Sequence, residues 1–411
     1  MRSATPFSSS LRSRTAEESL RLAAALAGSR GVSRVVDTTW LDRIGIPVYS
    51  SVRPDAHPAT LCVHAGKGFT HAEAKIGAYM EAIEYSFTEE GRSRLGWRCA
   101  TPQDVLDAFR GELAFPQFCP CAHVTVQPGE VLAVVEGDEL AAGLGRVLVP
   151  AELVIAPFPG NPGKQVYGSS SNGVASGNDL QEATVHALAE VMERDVQSFS
   201  IVGAPSWLVD PASLFGTARE MTRRIEAAGL RCYLRYSPNA FGLPHFAAYI
   251  VEPEADDYST LSVTAGIGFH CNRDISAVRA IAEAVQSRVS VIHGGRDDLI
   301  RQHALSRKLG AEESMRHLRN SRASVSSAQR VEQFERIPDM AATTLDEAWG
   351  ALRDGLLRAG LRHVVRVVYS EPDYPFQVVR VIVPGAEFFE YGLKRVGPRL
   401  LRDLAARQSA A

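Results

Sequence analysis

The chain has 411 residues, of which 45% are hydrophobic and 22% charged, and its formal net charge is -3. These values are typical of a globular protein with a sizeable core, and the small negative charge argues against nonspecific binding to nucleic acid or to an anionic membrane. No apolar run approaches the ~20 residues that span a bilayer. Six cysteines are too few for a disulfide framework, and the start lacks a secretory signal, so we expect a cytoplasmic protein.

The first part of the chain predicts an irregular extension followed by mixed structure. Residues 1–15 are predicted to be disordered, and a helix is predicted from Thr15 to Ala27. SRVVD and GIPVYSSV follow as short strands joined by a tight turn, and residues 66–90 as a glycine loop and a helix. Thr101 has the position of an N-cap for a helix through Phe109.

The remaining elements continue this mixture. Strands are predicted in HVTVQ, EVLAVVE, LVIAPF, RHVVRVVYS and QVVRVIVP. A glycine-rich loop followed by a helix is predicted within 169–195, and further helices are predicted near 212–228, over about 274–292 and over 345–360. Without a regular βαβ repeat, the order favours the α+β class and one large domain at 34–400, after an N-terminal extension at 1–33 and before a tail at 401–411.

A repeated unit stands out within this pattern. GFTHAEAKIGAYMEAIE, from Gly68, aligns without a gap with GNDLQEATVHALAEVME, from Gly177, and AVRAIAEAVQSR is a weaker third copy. The first two copies end in E-x-x-E, formed by Glu81 with Glu84 and by Glu190 with Glu193; the third ends in E-x-x-Q, formed by Glu283 with Gln286. Residues three apart lie on one face of a helix, so each pair shares a face.

Apolar residues flank both acidic pairs, which is unusual for surface carboxylates. Carboxylates that gather where water is excluded repel one another and become protonated unless a cation lies among them. Mg²⁺ is the cation that such oxygen ligands favour, and glycine loops ahead of the helices would let backbone N–H groups approach phosphates. A solvated helix face is the alternative for either pair. GKGFTH does not have the spacing of a Walker A loop, so a P-loop fold is not supported.

Three segments in this order resemble the signature blocks of the YcaO family: GKGFTHAEAKIGAYMEAIE, SNGVASGNDLQEATVHALAEVMERD and GIGFHCNRDISAVRAIAEAVQSR, the last followed by GGRDD. The resemblance covers residues 34–400. It implies a nucleotide-binding fold that is neither a P-loop nor a Rossmann fold, and an enzyme that uses ATP to phosphorylate the oxygen of a peptide backbone amide. A nucleophile then replaces that oxygen, giving an azoline, a thioamide or an amidine.

The resemblance also implies roles for individual residues. The Mg²⁺ ligands would be Glu81, Glu84, Glu190 and Glu193. The nucleotide contacts would be Asn178, Glu182, Arg194 and Gln286, with Glu283 and Arg288 in support. Glu190, Glu193 and Arg194 would be the catalytic residues. For the two arginines, a salt bridge at a helix end is the alternative.

Three positions in the first block need separate comment. Gly77 and Tyr85 stand where the family often has Ser and Arg, which removes a hydroxyl and a charge from the expected nucleotide contacts. Lys67 is either a phosphate contact or a solvated loop lysine. Elsewhere, the Cys119–Pro–Cys121 motif is expected to be structural, because no second pair of metal ligands is close in sequence.

The subclass is inferred from the ends of the similarity. The chain has no proline-rich tail and no fused leader-binding domain, so it is most similar to stand-alone members that act with a TfuA-type partner. This implies thioamide formation on a ribosomally made peptide or protein, with sulfide or a sulfur carrier as donor; a homodimer is left open. The alternatives are an azoline-forming cyclodehydratase, an amidine-forming macrocyclase and, in another class, a non-catalytic peptide-docking subunit. Without the resemblance, an ATP-dependent carboxylate–amine ligase would be the next hypothesis.

Overall fold

The computed structural model describes residues 5–253, 261–296 and 311–410. The helices are α1 Ala16–Ala27, α2 His71–Thr88, α3 Pro102–Ala108, α4 Leu180–Ile201, α5 Gly216–Ala227, α6 Arg273–His293, α7 Ala311–Ser326, α8 Leu345–Arg358 and α9 Pro398–Ala410. The first eight strands are β1 Thr5–Pro6, β2 Leu11–Arg12, β3 Arg34–Asp37, β4 Val48–Val52, β5 Val63–Lys67, β6 Arg98–Ala100, β7 Leu132–Glu139 and β8 Gly145–Pro150. The others are β9 Val174–Gly177, β10 Trp207–Val209, β11 Arg231–Tyr236, β12 His245–Val251, β13 Val263–Phe269, β14 Val331–Glu332, β15 Val365–Val368 and β16 Gln377–Ile382.

These elements form two compact units. In the described part of the chain, the first unit comprises residues 84–204 and 344–410, and the second comprises 5–83 and 205–343. Helices and mostly antiparallel sheets occur in both units, which confirms the predicted α+β class. No helix among the described residues is long and apolar enough to cross a membrane.

The first unit is built on a six-stranded sheet in the order β6-β7-β15-β16-β9, with β8 paired to β7. Helix α4 packs against β9 and β16. Along α4, apolar residues such as Val185, Leu188 and Met192 are at most 2% exposed, because they cover the apolar face of this sheet. This packing fixes the helix that carries the second acidic pair.

The second unit contains a five-stranded sheet in the order β13-β12-β11-β10-β14 and a three-stranded sheet in the order β3-β4-β5. Only β10 and β14 pair in parallel among the strands described in this unit. Helix α6 packs on β12 and β13, and its Ile281 joins Phe246 and Phe334 in a hydrophobic core where all three side chains are fully buried. This core fixes the third copy of the repeat.

Most of the predicted elements are present, with three differences. The chain forms a two-stranded hairpin of β1 and β2 where disorder is predicted for residues 1–15. HVTVQ forms no strand, because Val124 hydrogen-bonds back to Cys121 in a turn instead of pairing with a neighbouring strand. LVIAPF, residues 153–158, forms no strand: a 3-10 turn at Ala151–Leu153 ends at its first residue, and a turn and bends follow. The neighbouring RVLVP, which the pattern missed, forms most of β8.

Candidate functional site

The second copy of the repeat forms a strand, a tight loop and a helix. At Gly177, the last residue of β9, an added Cβ would lie 2.3 Å from the backbone nitrogen of Ala183. Only glycine therefore permits this close approach of the strand end to the first turn of α4. Asp179 caps the helix, its side chain accepting a hydrogen bond of 2.9 Å from the backbone N–H of Glu182.

Asn178 and Glu182 meet directly behind this loop. The Asn178 amide donates to both carboxylate oxygens of Glu182, at 3.1 and 3.0 Å. Glu182 is fully buried and Asn178 is 8% exposed, so the pair is held in one arrangement. The sequence grouped these two residues, and the structure brings them together.

Glu190 and Glu193 follow on the same helix in a strongly desolvated environment. Burial raises the pKa of Glu190 to about 7, and the nearby Glu193 adds to the rise, while Arg194 and Arg380 oppose it. Glu193 is only 3% exposed. A second buried carboxylate so close disfavours the ionised form of both, and a bound cation would reverse this effect.

Glu84, near the end of α2, is hydrogen-bonded to the strand that precedes this loop. Its Oε1 accepts from the backbone N–H of Ser176 at 2.8 Å and from the Ser176 hydroxyl at 2.5 Å. The neighbouring Tyr85 hydroxyl donates to Ser171 at 3.1 Å. Tyr85 therefore holds the loop before β9, in place of the charge that the family often has there.

Arg380 is a residue that sequence reasoning missed. It lies in the middle of β16 and is 3% exposed, and its guanidinium donates to the backbone oxygen of Ser170 at 2.9 Å. Its charge lowers the pKa of Glu190, which places it beside the acidic pair of α4. An arginine inside the apolar run VVRVIVP was the available signal.

Arg194 points along α4. Its Nη1 donates to the side-chain oxygen of Gln197 at 3.0 Å, one turn further along the helix. The guanidinium charge also acts on Glu190. Arg194 therefore lies next to the acids with which the sequence grouped it.

In the second unit, the first copy of the repeat shows the same close packing of strand and helix. An added Cβ at Gly66 would lie 2.0 Å from the backbone nitrogen of Ala78, and one at Gly77 would lie 3.3 Å from the Cα of Gly66. The two glycines thus let β5 and α2 cross closely. Gly77 has a packing role, which accounts physically for the absence of the family's hydroxyl.

Glu81 and Gln286 both hydrogen-bond to the backbone of one residue, Ala65. The Glu81 carboxylate accepts from the backbone N–H of Ala65 at 2.9 Å, and Gln286 donates to the backbone oxygen of Ala65 at 3.3 Å. Burial raises the pKa of Glu81, against the opposing charges of Arg296 and Lys67. The first and third copies of the repeat therefore place polar side chains around the same strand residue.

Lys67 and Glu283 form an ion pair of 2.5 Å, with side chains 25% and 24% exposed. The other oxygen of Glu283 accepts from the backbone N–H of Ile267 at 3.4 Å. Lys67 is therefore not a solvated loop lysine. It neutralises the acid of the third copy.

Arg288 is engaged in a buried ion-pair network. It contacts Asp42 and Glu252 at 2.9 Å each and donates to the backbone oxygen of Leu261 at 3.2 Å. Its side chain is 2% exposed. These contacts favour the salt bridge over a nucleotide contact.

Two further observations concern metals and thiols. Across residues 5–253, 261–296 and 311–410, no group of three or more His, Cys, Asp or Glu side chains already has metal-site geometry. Cys119 is 1% exposed, and burial raises the pKa of its thiol, so the thiolate needed for metal or redox chemistry is disfavoured. The CPC motif therefore has the structural character that was expected.

Comparisons with known proteins identify similar chains. Residues 65–387 match the family model described as YcaO cyclodehydratase, ATP- and Mg²⁺-binding. An uncharacterized protein of Methanothermobacter thermautotrophicus is 32% identical over 376 residues, which cover 90% of this chain and 93% of that one. An uncharacterized protein in the tfuA 3' region of Rhizobium leguminosarum bv. trifolii is 33% identical over 376 residues, covering 87% and 84%.

A solved structure shares the fold. YcaO from Methanopyrus kandleri, bound with AMPPCP and Mg²⁺, matches with a TM-score of 0.75 and 23% identity, over 97% of this chain and 98% of that one. This agreement confirms the predicted fold type.

Proposed function

The chain belongs to the YcaO family, and we propose that it uses ATP and Mg²⁺ to activate a backbone amide of a peptide. The observation that carries the proposal is the acidic pair of α4 behind the Gly177 loop, in which Glu193 is buried and desolvation raises the pKa of the partly exposed Glu190 to about 7. Arg194 and Arg380 offset only part of the cost of two carboxylates so close together, so a bound cation would stabilise the pair.

Mg²⁺ fits this donor set, because it is a hard cation that binds carboxylate oxygens and substrate phosphates. We assign Glu84, Glu190 and Glu193 as its ligands. We also assign Glu81, because it occupies in the first copy of the repeat the position of Glu190 in the second. When bound, Mg²⁺ would neutralise charge on the triphosphate and on the acids. The hydrogen bond from Ser176 would hold the Glu84 carboxylate in position to bind the ion.

The nucleotide contacts follow from the same loop. Backbone N–H groups at the start of α4, next to Asn178 and Glu182, suit a phosphate or ribose hydroxyl. Arg194 would offset negative charge on the transferred phosphoryl group through its planar guanidinium. Gln286 and Glu283 would support these nucleotide contacts. Arg288 is left out because its guanidinium is already engaged by Asp42 and Glu252.

The chemistry proposed is replacement of the amide oxygen by sulfur. Transfer of the γ-phosphoryl group to that oxygen converts it into a good leaving group. Sulfide, or a sulfur carrier, attacks the amide carbon, and the oxygen leaves with the phosphate as a thioamide forms. The Rhizobium relative in the tfuA 3' region supports a TfuA-type partner and hence this product.

An azoline-forming cyclodehydratase is the second candidate, favoured by the description of the family model. In that reaction the nucleophile is a Cys or Ser side chain of the peptide, and water is lost overall. An amidine would form if a backbone amide were the nucleophile. A non-catalytic docking subunit is less favoured, because it would not need buried acids such as Glu190 and Glu193.

Mass spectrometry distinguishes these products. Peptides from cells that express the pathway are compared with and without this gene and with the Glu193→Gln variant. A thioamide adds the mass difference between sulfur and oxygen, whereas an azoline loses the mass of water. We expect the first change in wild type only; a dehydrated peptide would establish the second candidate, and identical peptides in all three strains would leave the docking subunit.

A further inference from the structure

An arginine-lined cleft of about 460 Å³ lies on the six-stranded sheet of the first unit. This volume is within the range of ligand-binding pockets. Residues 94–98 form one wall, and strands β7, β8 and β15 form the floor. The cleft contains four guanidinium groups, those of Arg94, Arg98, Arg146 and Arg366.

The strand register places these side chains on one face of the sheet. Asp138 of β7 lies opposite both Arg146 of β8 and Arg366 of β15, and Val134 lies opposite Arg98. Because side chains alternate along a strand, residues at 134, 136 and 138 share this face. Three of the arginines therefore converge on one surface through the register of three strand pairs, and Arg94 joins them from the segment ahead of β6.

The cleft has more positive than negative charge. Its two acids are paired, Glu136 with Arg146 at 3.2 Å and Asp138 with Arg366 at 3.5 Å. Arg94 and Arg98 form no ion pair with any residue in the described part of the chain. Four arginines against two acids leave the lining with two excess positive charges. An anionic ligand is the chemical complement of such a surface.

We propose that this cleft binds an acidic stretch of the peptide that the enzyme modifies; the identity of that peptide as substrate rests on the proposed function. Arg94 and Arg98 bind carboxylates through paired N–H donors. Trp97, which is 37% exposed, packs against the peptide side chains between those carboxylates. The carboxylates complement the excess positive charge of the lining, and the proposed function supplies a peptide that carries them.

The test measures peptide binding without ATP or Mg²⁺. A fluorescein-labelled octapeptide of alternating Glu and Thr is titrated with the full chain, and anisotropy is recorded at low and physiological salt. The matched probe has Gln in place of Glu. We expect the Glu peptide to bind at least tenfold more tightly, and its affinity to fall as salt screens the charges.

Variants locate the binding. Arg94→Glu with Arg98→Glu should reduce Glu-peptide affinity at least tenfold, and Arg94→Gln with Arg98→Gln should have a smaller effect in the same direction. Arg402→Glu, at an exposed position of α9, is the matched control and should leave affinity unchanged. Melting temperatures verify that every variant is folded.

Three results would overturn the proposal: equal affinity for the Glu and Gln peptides, unchanged affinity in both double variants, or displacement of the Glu peptide by a thymidine decanucleotide at equal concentration. The last would identify a general polyanion surface. Failure of the proposed function looks different. If the cleft binds peptide as expected but the chain binds no nucleotide in a separate titration, the cleft stands and the function falls.

Discussion

Replacing Glu190 by glutamine distinguishes a metal-binding role of this carboxylate from a structural role. Burial raises the pKa of this carboxyl from 4.5 to about 7 in the metal-free protein. At about 1.4 kcal/mol per pKa unit, ionising Glu190 costs the folded state up to about 3 kcal/mol. The cost is absent below the unfolded pKa, grows as pH rises from 4.5 to about 7, and is constant above. Glutamine has the same shape and never ionises.

In EDTA at pH 8, we therefore expect the free energy of unfolding of Glu190→Gln to be at least that of wild type and up to about 3 kcal/mol higher. Urea titrations at pH 5 and pH 8 measure this, and the difference between the proteins should fall to about 1 kcal/mol or less at pH 5. Calorimetric titration with AMPPCP and Mg²⁺ should show binding to wild type and little to the variant. Glu226→Gln, at an exposed position of α5, is the control. A variant that is less stable at pH 8 yet binds the nucleotide normally would refute the metal assignment.

Three other perturbations test the packing around these residues. Gly177→Ala should destabilise the protein and weaken AMPPCP binding, because the new Cβ would lie 2.3 Å from a backbone nitrogen; melting and calorimetry measure both effects. Arg288→Leu should cost about 3–5 kcal/mol in urea unfolding by leaving Asp42 buried and uncompensated, whereas nucleotide affinity of the folded fraction should not change. Burial lowers the pKa of His270 from 6.5 to about 3, so stability is lost as pH falls below 6.5. Between pH 7 and pH 5, the free energy of unfolding of His270→Gln should fall by about 2 kcal/mol less than that of wild type. Equal falls for the two proteins in urea titrations would contradict this.

Local patterns predicted the parts of the candidate site that are close in sequence. The Glu190–Glu193 spacing is helical, so periodicity grouped that pair, whereas the family resemblance grouped Asn178 with Glu182. Glu84 and Ser176 are separated by 92 residues, and nothing in either segment indicates their hydrogen bond. Such pairings depend on which strands become neighbours, and this is decided by the packing of the whole unit.

The contacts of Arg288 could not be predicted from the sequence for a different reason. The pattern alone favoured a salt bridge for this residue, whereas the family resemblance implied a nucleotide contact. The choice depends on Asp42, which lies 246 residues away and is itself 7% exposed. A buried arginine is stabilised only when its donors are used, and here two carboxylates and one carbonyl use them.

The glycines of the repeat also have a structural role, separate from that of the acids. The aligned residues Gly68 and Gly177 both approach a helix closely: an added Cβ would lie 2.9 Å from the Ala74 nitrogen in the first copy and 2.3 Å from the Ala183 nitrogen in the second. In the third copy the aligned position is His270, and the close approach is made by Gly268, the equivalent of Gly66: an added Cβ would lie 2.6 Å from the Ala280 nitrogen, as one at Gly66 would lie 2.0 Å from the Ala78 nitrogen. The glycines are therefore required where a strand end crosses the following helix. Because that crossing sets the distance from loop to helix, it also fixes where the acids two or three turns later can reach, which explains why loop and acids are repeated together.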